Sequence, residues 1–459
     1  MFPGAKIIAV DDDEDDLRKI LVALKNLGLA CASFQYPDEQ PQAGISFGGI
    51  RLYITDINLI GGDSPGDEAR KLTTAISLIE RIIARGNGPY ALITWSTTTL
   101  HDALVARIKA TGSLSERQPF FSMALNKSDF LEDPDKLKVA IQSIFTANAP
   151  FGAILDWERR VSKASERVLS DLYSFSQQIP AGDPSENMDR LLSKLSVDAF
   201  GKGHAADHVF ESVNEALMPI LSDALNTEFF SSAPDGIWEK AITKFADAND
   251  LADDIVCRLN SSVVLELSPD IKPYRRGAIL ELPDDWLTDE AFTRTFGDKQ
   301  KVIRGTLLKL ERPKDLKWVL IQAQAACDFA QGRIGPMPFL LAAVVPASFA
   351  RKKGGDGIDL PLPASVWQSP ELSKCSGISD NDDFHFEILN GICCQLTRSR
   401  ISEVNFKVLG RLKDQIVTSI GYEYHSHGSR PGFVSFQKKR VEAVRPALEG
   451  STETPRSNA

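Results

Sequence analysis

The stretch KIIAVDDDEDD, residues 6–16, decides the fold of the first third of the chain. Its four apolar residues, 7–10, are followed at once by a run of acids. A short apolar run predicts a buried strand, and the apolar residues of the next segment, 16–27, recur at the spacing of one helical face. A buried strand that leads into an amphipathic helix is the repeating unit of an α/β fold.

The same alternation continues to about residue 145. Further strand-like segments lie at 30–34, 50–55, 90–93 and 120–125, and further helix-like segments at 72–83, 100–110 and 135–145. Five strands that alternate with about five helices predict a doubly wound parallel sheet. Such sheets bind ligands beyond the carboxyl ends of their strands.

Carboxylates stand at two of these predicted strand ends. Asp11 and Asp12 follow the first strand, and Asp56 ends the third, in YITDINL. Because converging carboxylates repel one another, we expect a cation between them, and Mg²⁺ prefers oxygen ligands. A carboxylate beside Mg²⁺ can act as a nucleophile toward a phosphoryl donor. The sequence therefore predicts a magnesium-dependent phosphoryl-accepting site.

The next two strand ends carry groups that a transferred phosphoryl needs. Thr94 and Ser96 lie in LITWSTTT, and Lys127 lies in MALNKSDF. A hydroxyl and an ammonium group can hold the phosphoryl oxygens during transfer. Thr94 and Ser96 share one face of an alternating strand, so both remain candidates for the hydroxyl.

These ordered motifs resemble the receiver domain of response regulators, over residues 5–147. The resemblance implies a flavodoxin-like fold and phosphorylation of Asp56 by a histidine kinase. It also implies Mg²⁺ held by Asp11, Asp12, Asp56 and the backbone carbonyl of Asn58. It favours Ser96 over Thr94 as the hydroxyl, because the residue after Thr94 is a tryptophan where the family has a small residue.

Three departures from the family pattern bear on what phosphorylation would do. Ser128 follows Lys127 where the family has proline, and Ala124 stands where the family has its aromatic switch residue. The segment 61–74 is expected to lengthen the loop after Asp56. The acidic site is present while the switch is not, which favours receiving or storing phosphate over conventional output switching.

Two plainer interpretations remain for the N-terminal motifs. An acidic run such as DDDEDD is commonly a solvated surface. A degenerate receiver would keep the fold without being phosphorylated, and the protein would then be a scaffold. The order of the acids, the hydroxyls and Lys127 along successive strands favours the phosphorylated receiver.

The remainder of the chain changes character after the receiver-like region, 1–148. Residues 150–265 show helical spacing and predict a helical domain. Residues 266–440 predict a mixed β-rich domain, with strands at 275–282, 303–310, 318–322 and 339–345 and more helical segments at 382–394 and 404–424. Residues 441–459 predict a disordered tail.

Composition limits the partners. The formal charge of −10 argues against general nucleic-acid binding. No apolar run approaches the ~20 residues of a membrane span, and the N-terminus is no signal peptide. The six cysteines are scattered, which is typical of reduced thiols in a cytoplasmic protein.

The whole chain is similar to the receiver proteins of Detocs-type bacterial anti-phage two-component systems, which drain phosphate as a buffer. The partners implied are a histidine kinase and a separate effector protein. A homodimer is a further expectation, because a long helix that leaves a receiver often dimerises. No standard output domain follows the receiver.

A different class of function would make the C-terminal region a receiver-regulated enzyme. The sequence offers Cys327–Asp328 in WVLIQAQAACDFAQ, with His385, His425 and His427 as candidate partners. A buried structural cysteine is the more ordinary interpretation. The remaining chemical candidates are more often plain surface residues: His204, His208 and Arg430.

Overall fold

The protein was analysed as a computed structural model, which describes residues 6–39, 45–60, 67–130, 134–180, 182–231, 236–245, 251–302, 316–325, 328–329, 335–349 and 366–428. The chain forms two compact units. The first comprises Met1–Leu195 with Val213–Asn249, and the second comprises Ser196–Ser212 with Asp250–Ala459. The boundaries that the sequence predicts for three domains remain predictions.

A five-stranded parallel sheet forms the centre of the first unit. Its order is β2-β1-β3-β4-β5, and every pair in it is parallel. The strands are β1 (Ile7–Asp11), β2 (Ala32–Gln35), β3 (Leu52–Thr55), β4 (Ala91–Trp95) and β5 (Phe121–Leu125). The predicted doubly wound sheet is confirmed, because buried apolar clusters cover both of its faces.

Helices connect these strands at positions close to the predicted ones. They are α1 (Glu14–Asn26), α2 (Asp67–Ile82), α3 (His101–Ala110) and α4 (Pro134–Ala147). Asp13 caps α1, because its carboxylate accepts a hydrogen bond from the backbone N–H of Asp16 at 3.0 Å. This cap fixes where the acidic run leaves the sheet.

Two details of this region differ from the sequence prediction. Helix α2 begins at Asp67, so a large part of the segment 61–74 is helix and not loop. Between β2 and β3, the described residues 36–39 and 45–51 form no helix. Asp67 and Glu68 lie in the first turn of α2, and their negative charges favour this early start of the helix.

A series of helices follows the sheet. They are α5 (Ala149–Gln177), α6 (Pro184–Phe200), α7 (Lys202–Asp207), α8 (Val209–Ser231), α9 (Ile237–Ala241) and α10 (Asp253–Val264). In the first unit, Ala164, Val168 and Leu172 of α5 form a small apolar cluster with Ala224 of α8. The predicted helical character of the region after residue 150 is confirmed.

Helix α5 is tied to the parallel sheet by an ion-pair group around Glu158. Its carboxylate accepts hydrogen bonds from Arg51 Nε at 2.8 Å and Nη2 at 3.2 Å, and from Lys6 Nζ at 2.8 Å. Burial alone would raise the pKa of Glu158, but the hydrogen bonds from Arg51 and Lys6 outweigh it and lower the pKa. The charged form of Glu158 therefore stabilises the junction of α5 with the sheet.

We expect Glu158→Gln to destabilise this junction by about 1–2 kcal/mol, since the bidentate charged pair is lost at a partly solvated position. A carboxyl whose pKa is lowered in the folded state stabilises fully above its unfolded pKa, so the difference from wild type should shrink as pH falls through the lowered pKa of Glu158. Hydrogen exchange of peptides from β3 and α5 measures it. Glu166→Gln, an exposed position on the same helix, is the control; equal protection in both variants would contradict the expectation.

A seven-stranded antiparallel sheet forms the centre of the second unit. Its order is β10-β11-β9-β8-β7-β12-β6. The strands are β6 (Leu265–Glu266), β7 (Ala278–Glu281), β8 (Lys317–Gln322), β9 (Met337–Pro346), β10 (Val366–Gln368), β11 (Phe384–Leu396) and β12 (Val408–Leu412). The helices of this part are α11 (Asp289–Phe296), α12 (Lys299–Val302), α13 (Arg398–Val404) and α14 (Asp414–Gly428). The predicted C-terminal β-rich region is confirmed.

The prediction of helix for 382–394 was wrong, because this segment is the long strand β11. Phe384, Phe386 and Ile388 alternate into one buried cluster, whereas Leu389 joins the opposite one. The register of β11 against β9 shifts between Ile388 and Cys393. That irregularity interrupts the two-residue period and makes the segment resemble a helix in sequence.

Two other predictions for this region have mixed outcomes. The segment 404–424 contains β12 before the helix α14 begins, so only its second part is helical. The strand expected at 303–310 and the tail expected at 441–459 lie outside the described residues. Among the helices that the structure describes, none is long and apolar enough to cross a membrane.

Candidate functional site

The predicted acids meet at the carboxyl edge of the parallel sheet. Asp11 is the last residue of β1 and is fully buried, while Asp56 follows β3 directly and is 4% exposed. The backbone N–H of Asp56 donates to Val10 O at 3.0 Å, which continues the pairing of β1 with β3 past the strand end. Asp12 is exposed beside them. The parallel arrangement therefore brings together residues 45 positions apart in sequence.

Lys127 lies at the centre of this acidic edge. Its ammonium group is 2.7 Å from Asp56 Oδ2, 2.9 Å from Asp11 Oδ2 and 3.1 Å from Asp16 Oδ2. It follows β5, and its backbone N–H donates to Ser96 O at 3.4 Å. The structure thus places the predicted lysine, acceptor and metal-site acid within one hydrogen-bonded group.

Asp16 is a member of the site that the sequence analysis missed. It lies in the first turn of α1, and its backbone N–H donates to the capping carboxylate of Asp13. Burial alone would raise the pKa of Asp16, but hydrogen bonds from Lys19 and Lys127 lower it. Its position four residues after Asp12, at the start of a helix, was the available signal.

The site carries more negative than positive charge. Four carboxylates, those of Asp11, Asp12, Asp16 and Asp56, lie near two ammonium groups, of Lys127 and Lys19. Burial raises the pKa of Asp11 to about 7, against the opposing attraction of Lys127. Burial, reinforced by the charge of Asp56, also raises the pKa of Asp12. A divalent cation would remove the cost of keeping these groups ionised.

The oxygen atoms present fit such a cation. Ligand atoms of Asp11, Asp12 and Asp56 all lie within 4.8 Å of one another, so the three could hold a metal ion. The backbone N–H of Asn58 donates to Asp56 Oδ1 at 2.9 Å, which orients that carboxylate. The side-chain Oδ1 of Asn58 is buried and accepts no hydrogen bond from the residues that the structure describes. An all-oxygen set of this kind suits a hard ion such as Mg²⁺.

The two candidate hydroxyls have different partners. Thr94 Oγ1 lies 2.9 Å from His101 Nδ1, at the start of α3, a contact that the sequence analysis did not foresee. Burial lowers the pKa of His101. Ser96 Oγ lies 3.2 Å from Thr98 Oγ1 and directly follows β4. Both Thr94 and Ser96 are buried, and which of them would hold a phosphoryl oxygen stays open.

The structure also shows the surroundings of Ala124, the position at which the family pattern described above has an aromatic residue. Ala124 pairs with Thr94 in the register of β4 and β5, and it is exposed. The space beside Thr94 is therefore bounded by His101 on α3 and not by a ring from β5.

The downstream candidates do not assemble into a second catalytic group among the described residues. His385 Nε2 lies 3.4 Å from Glu387 Oε1 on β11, and His208 Nδ1 lies 3.4 Å from Glu211 Oε2. Asp328 is half-buried. Cys327 and Arg430 lie outside the described residues, as do the side chains of His204, His425 and His427.

The metal ligands can be tested by one substitution and a matched control. We expect Asp12→Asn to weaken Mg²⁺ binding at least about tenfold, because a charged ligand is replaced by a neutral one. Asp15→Asn, in the same acidic run but paired with Arg18 on the surface, should leave the affinity unchanged. Calorimetric titration with Mg²⁺ measures both, and equal effects of the two variants would show a diffuse acidic surface instead of a site.

No family model and no curated protein matches this chain. The fold class and the acidic cluster therefore rest on the chain's own residues and geometry.

Proposed function

We propose that residues 1–148 form a receiver domain that accepts a phosphoryl group on Asp56 from a partner histidine kinase. The observation that carries the proposal is the contact of Asp56 Oδ2 with Lys127 Nζ at 2.7 Å, at an edge shared with Asp11 and Asp12. A carboxylate, a fixed ammonium group and a candidate cation site are the parts that phosphoryl transfer to a carboxylate requires.

In the proposed reaction, a carboxylate oxygen of Asp56 attacks the phosphorus of the kinase's phosphohistidine. The phosphorus–nitrogen bond breaks, and an acyl phosphate forms on Asp56. Lys127 and the hydroxyl of Ser96 or Thr94 hold the phosphoryl oxygens. Mg²⁺, held by Asp11, Asp12, Asp56 and the carbonyl of Asn58, would neutralise charge on the incoming group.

We further propose that this domain stores or relays phosphate. The exposed Ala124 beside Thr94 supplies no ring that could move with phosphorylation. The helical and β-rich regions would then recruit the kinase or a separate effector, or join two copies of the chain. We place this protein in the cytoplasm, in a two-component system like the Detocs-type anti-phage systems, with no enzymatic activity beyond phosphoryl transfer and its hydrolysis.

A small phosphoryl donor tests the proposal without knowledge of the kinase. The full chain is incubated with acetyl phosphate, with and without Mg²⁺, and its intact mass is recorded. We expect one phosphoryl group per chain in the presence of Mg²⁺ and none after chelation. No adduct from acetyl phosphate or a cognate kinase would instead support a scaffold with a degenerate receiver.

A further inference from the structure

A second group of metal-ligating side chains lies in the second unit. The sulfur of Cys257 on α10 and the carboxylates of Glu371 and Asp383 place one ligand atom each within 4.8 Å of the others. The three come from separate segments: a helix, the loop after β10 and the residue before β11. Neither the sequence motifs nor the proposed receiver activity accounts for this thiol–carboxylate cluster.

The burial of Cys257 differs from that of an ordinary structural cysteine. It is 3% exposed, yet it belongs to none of the apolar clusters that the described residues form. Cys394, by contrast, is part of a large apolar core, and Cys375 and Cys393 pack against another. A buried thiol normally packs as a small apolar group. The thiol of Cys257 is instead hydrogen-bonded to Asp383 and lies near the carboxylate of Glu371.

Hydrogen bonds between side chains and backbone hold the three segments in place. Asn260 Nδ2 donates to Glu371 O at 2.9 Å, and the N–H of Ser373 donates to Ser261 Oγ at 2.8 Å, so the loop is attached to α10. Leu372 and Phe384 form an antiparallel bridge, which brings Glu371 and Asp383 together as diagonal neighbours. The cluster is therefore organised by the fold and not by chance contact of mobile side chains.

The orientation of Asp383 fits a ligand role. Its Oδ1 accepts a hydrogen bond from the backbone N–H of Lys374 at 2.9 Å, which fixes the carboxylate and leaves Oδ2 free of that contact. Partners of this kind orient metal ligands. Among the described residues, no lysine or arginine forms an ion pair with Glu371 or Asp383. The negative charge of the cluster thus has no protein cation in the described part of the chain to balance it.

We propose that Cys257, Glu371 and Asp383 bind a Zn²⁺ ion. Zinc accepts thiolate together with carboxylate ligands in a four-coordinate arrangement, whereas Mg²⁺ and Ca²⁺ take oxygen ligands. The thiol proton of Cys257 is released to solvent on binding. The exposed side of Glu371 leaves room for water as a further ligand. The ion joins α10 to the loop before β11.

Cobalt is a suitable probe, because Co²⁺ bound to a thiolate absorbs in the near ultraviolet and an all-oxygen site does not. The full chain is stripped with a chelator, supplied with excess Mg²⁺ and titrated with Co²⁺. We expect one equivalent to give the thiolate absorption and Zn²⁺ to displace it. Cys257→Ser should abolish the absorption, and Cys375→Ser, a half-buried cysteine outside the cluster, should retain it.

Two further variants decide the outcome even if Cys257→Ser fails to fold. Glu371→Gln and Asp383→Asn should each weaken Co²⁺ binding at least about tenfold. Absence of the thiolate absorption, its survival in Cys257→Ser, or wild-type affinity in both carboxamide variants would overturn the proposal. Asp56→Asn should keep the full absorption, so this result is independent of whether the receiver is phosphorylated.

Discussion

Asp56→Asn is expected to abolish phosphoryl incorporation from acetyl phosphate altogether. The carboxamide has no anionic oxygen to attack phosphorus, so the variant loses the nucleophile itself and not merely a contact. The neighbouring carboxylates cannot replace it. Asp11 and Asp12 are assigned to the cation, and Asp16 is bound by Lys19 and Lys127. Intact mass spectrometry of the variant beside wild type measures the loss.

A matched aspartate outside the site controls this result. Asp102 is exposed in the first turn of α3, and Asp102→Asn should accept the phosphoryl group as wild type does. The Asp56→Asn variant should retain its fold, because the amide still accepts hydrogen bonds from Asn58 and Lys127. A full phosphoryl adduct on Asp56→Asn would show that another residue is the acceptor.

Lys127→Met is expected to have the largest effect on stability. The Lys127 side chain is 8% exposed and its ammonium group touches three carboxylates, so its removal leaves several buried negative charges close together. Loss of one partner from a buried charged group costs about 3–5 kcal/mol. Hydrogen exchange of peptides from β1 and β3 should report this loss. Lys109→Met, an exposed position on α3, should show no comparable change.

Lys127→Met also separates the role of Lys127 in stability from its role in phosphoryl transfer. The destabilisation should be smaller at pH 5 than at pH 8, because Asp11, whose pKa is already about 7, can take up a proton in place of the lost cation. Mg²⁺ should stabilise Lys127→Met more than wild type, since it neutralises the same carboxylates. Phosphoryl transfer should nevertheless remain low. A variant as stable as wild type without Mg²⁺ would contradict the assigned geometry.

The sequence was sufficient to predict the parallel sheet and the main site residues for a specific physical reason. Each buried strand ends where apolar residues give way to a polar one, and parallel strands place those ends at one edge. Asp11, Asp56 and Lys127 are each marked in this way. The pairing in the structure confirms that they meet, although the chemistry at that edge remains a proposal.

The features that the sequence did not predict depend on tertiary contacts, which local sequence patterns do not contain. Asp16 was hidden within an acidic run that has the composition of a solvated surface, and its contact with Lys127 joins residues far apart in the sequence. The strand β11 was predicted as helix because its register shift disrupts the alternation. Cys257 and Glu371 are 114 positions apart, and no spacing rule connects them.

The most direct test of the central claim is to locate the phosphoryl group in the wild-type chain. After incubation with acetyl phosphate and Mg²⁺, borohydride reduction converts an acyl-phosphorylated aspartate to homoserine, which peptide mass spectrometry identifies. We expect homoserine at Asp56 and at no other aspartate. Homoserine at a different position, or no reduced residue in a chain that binds Mg²⁺ and is fully folded, would contradict it.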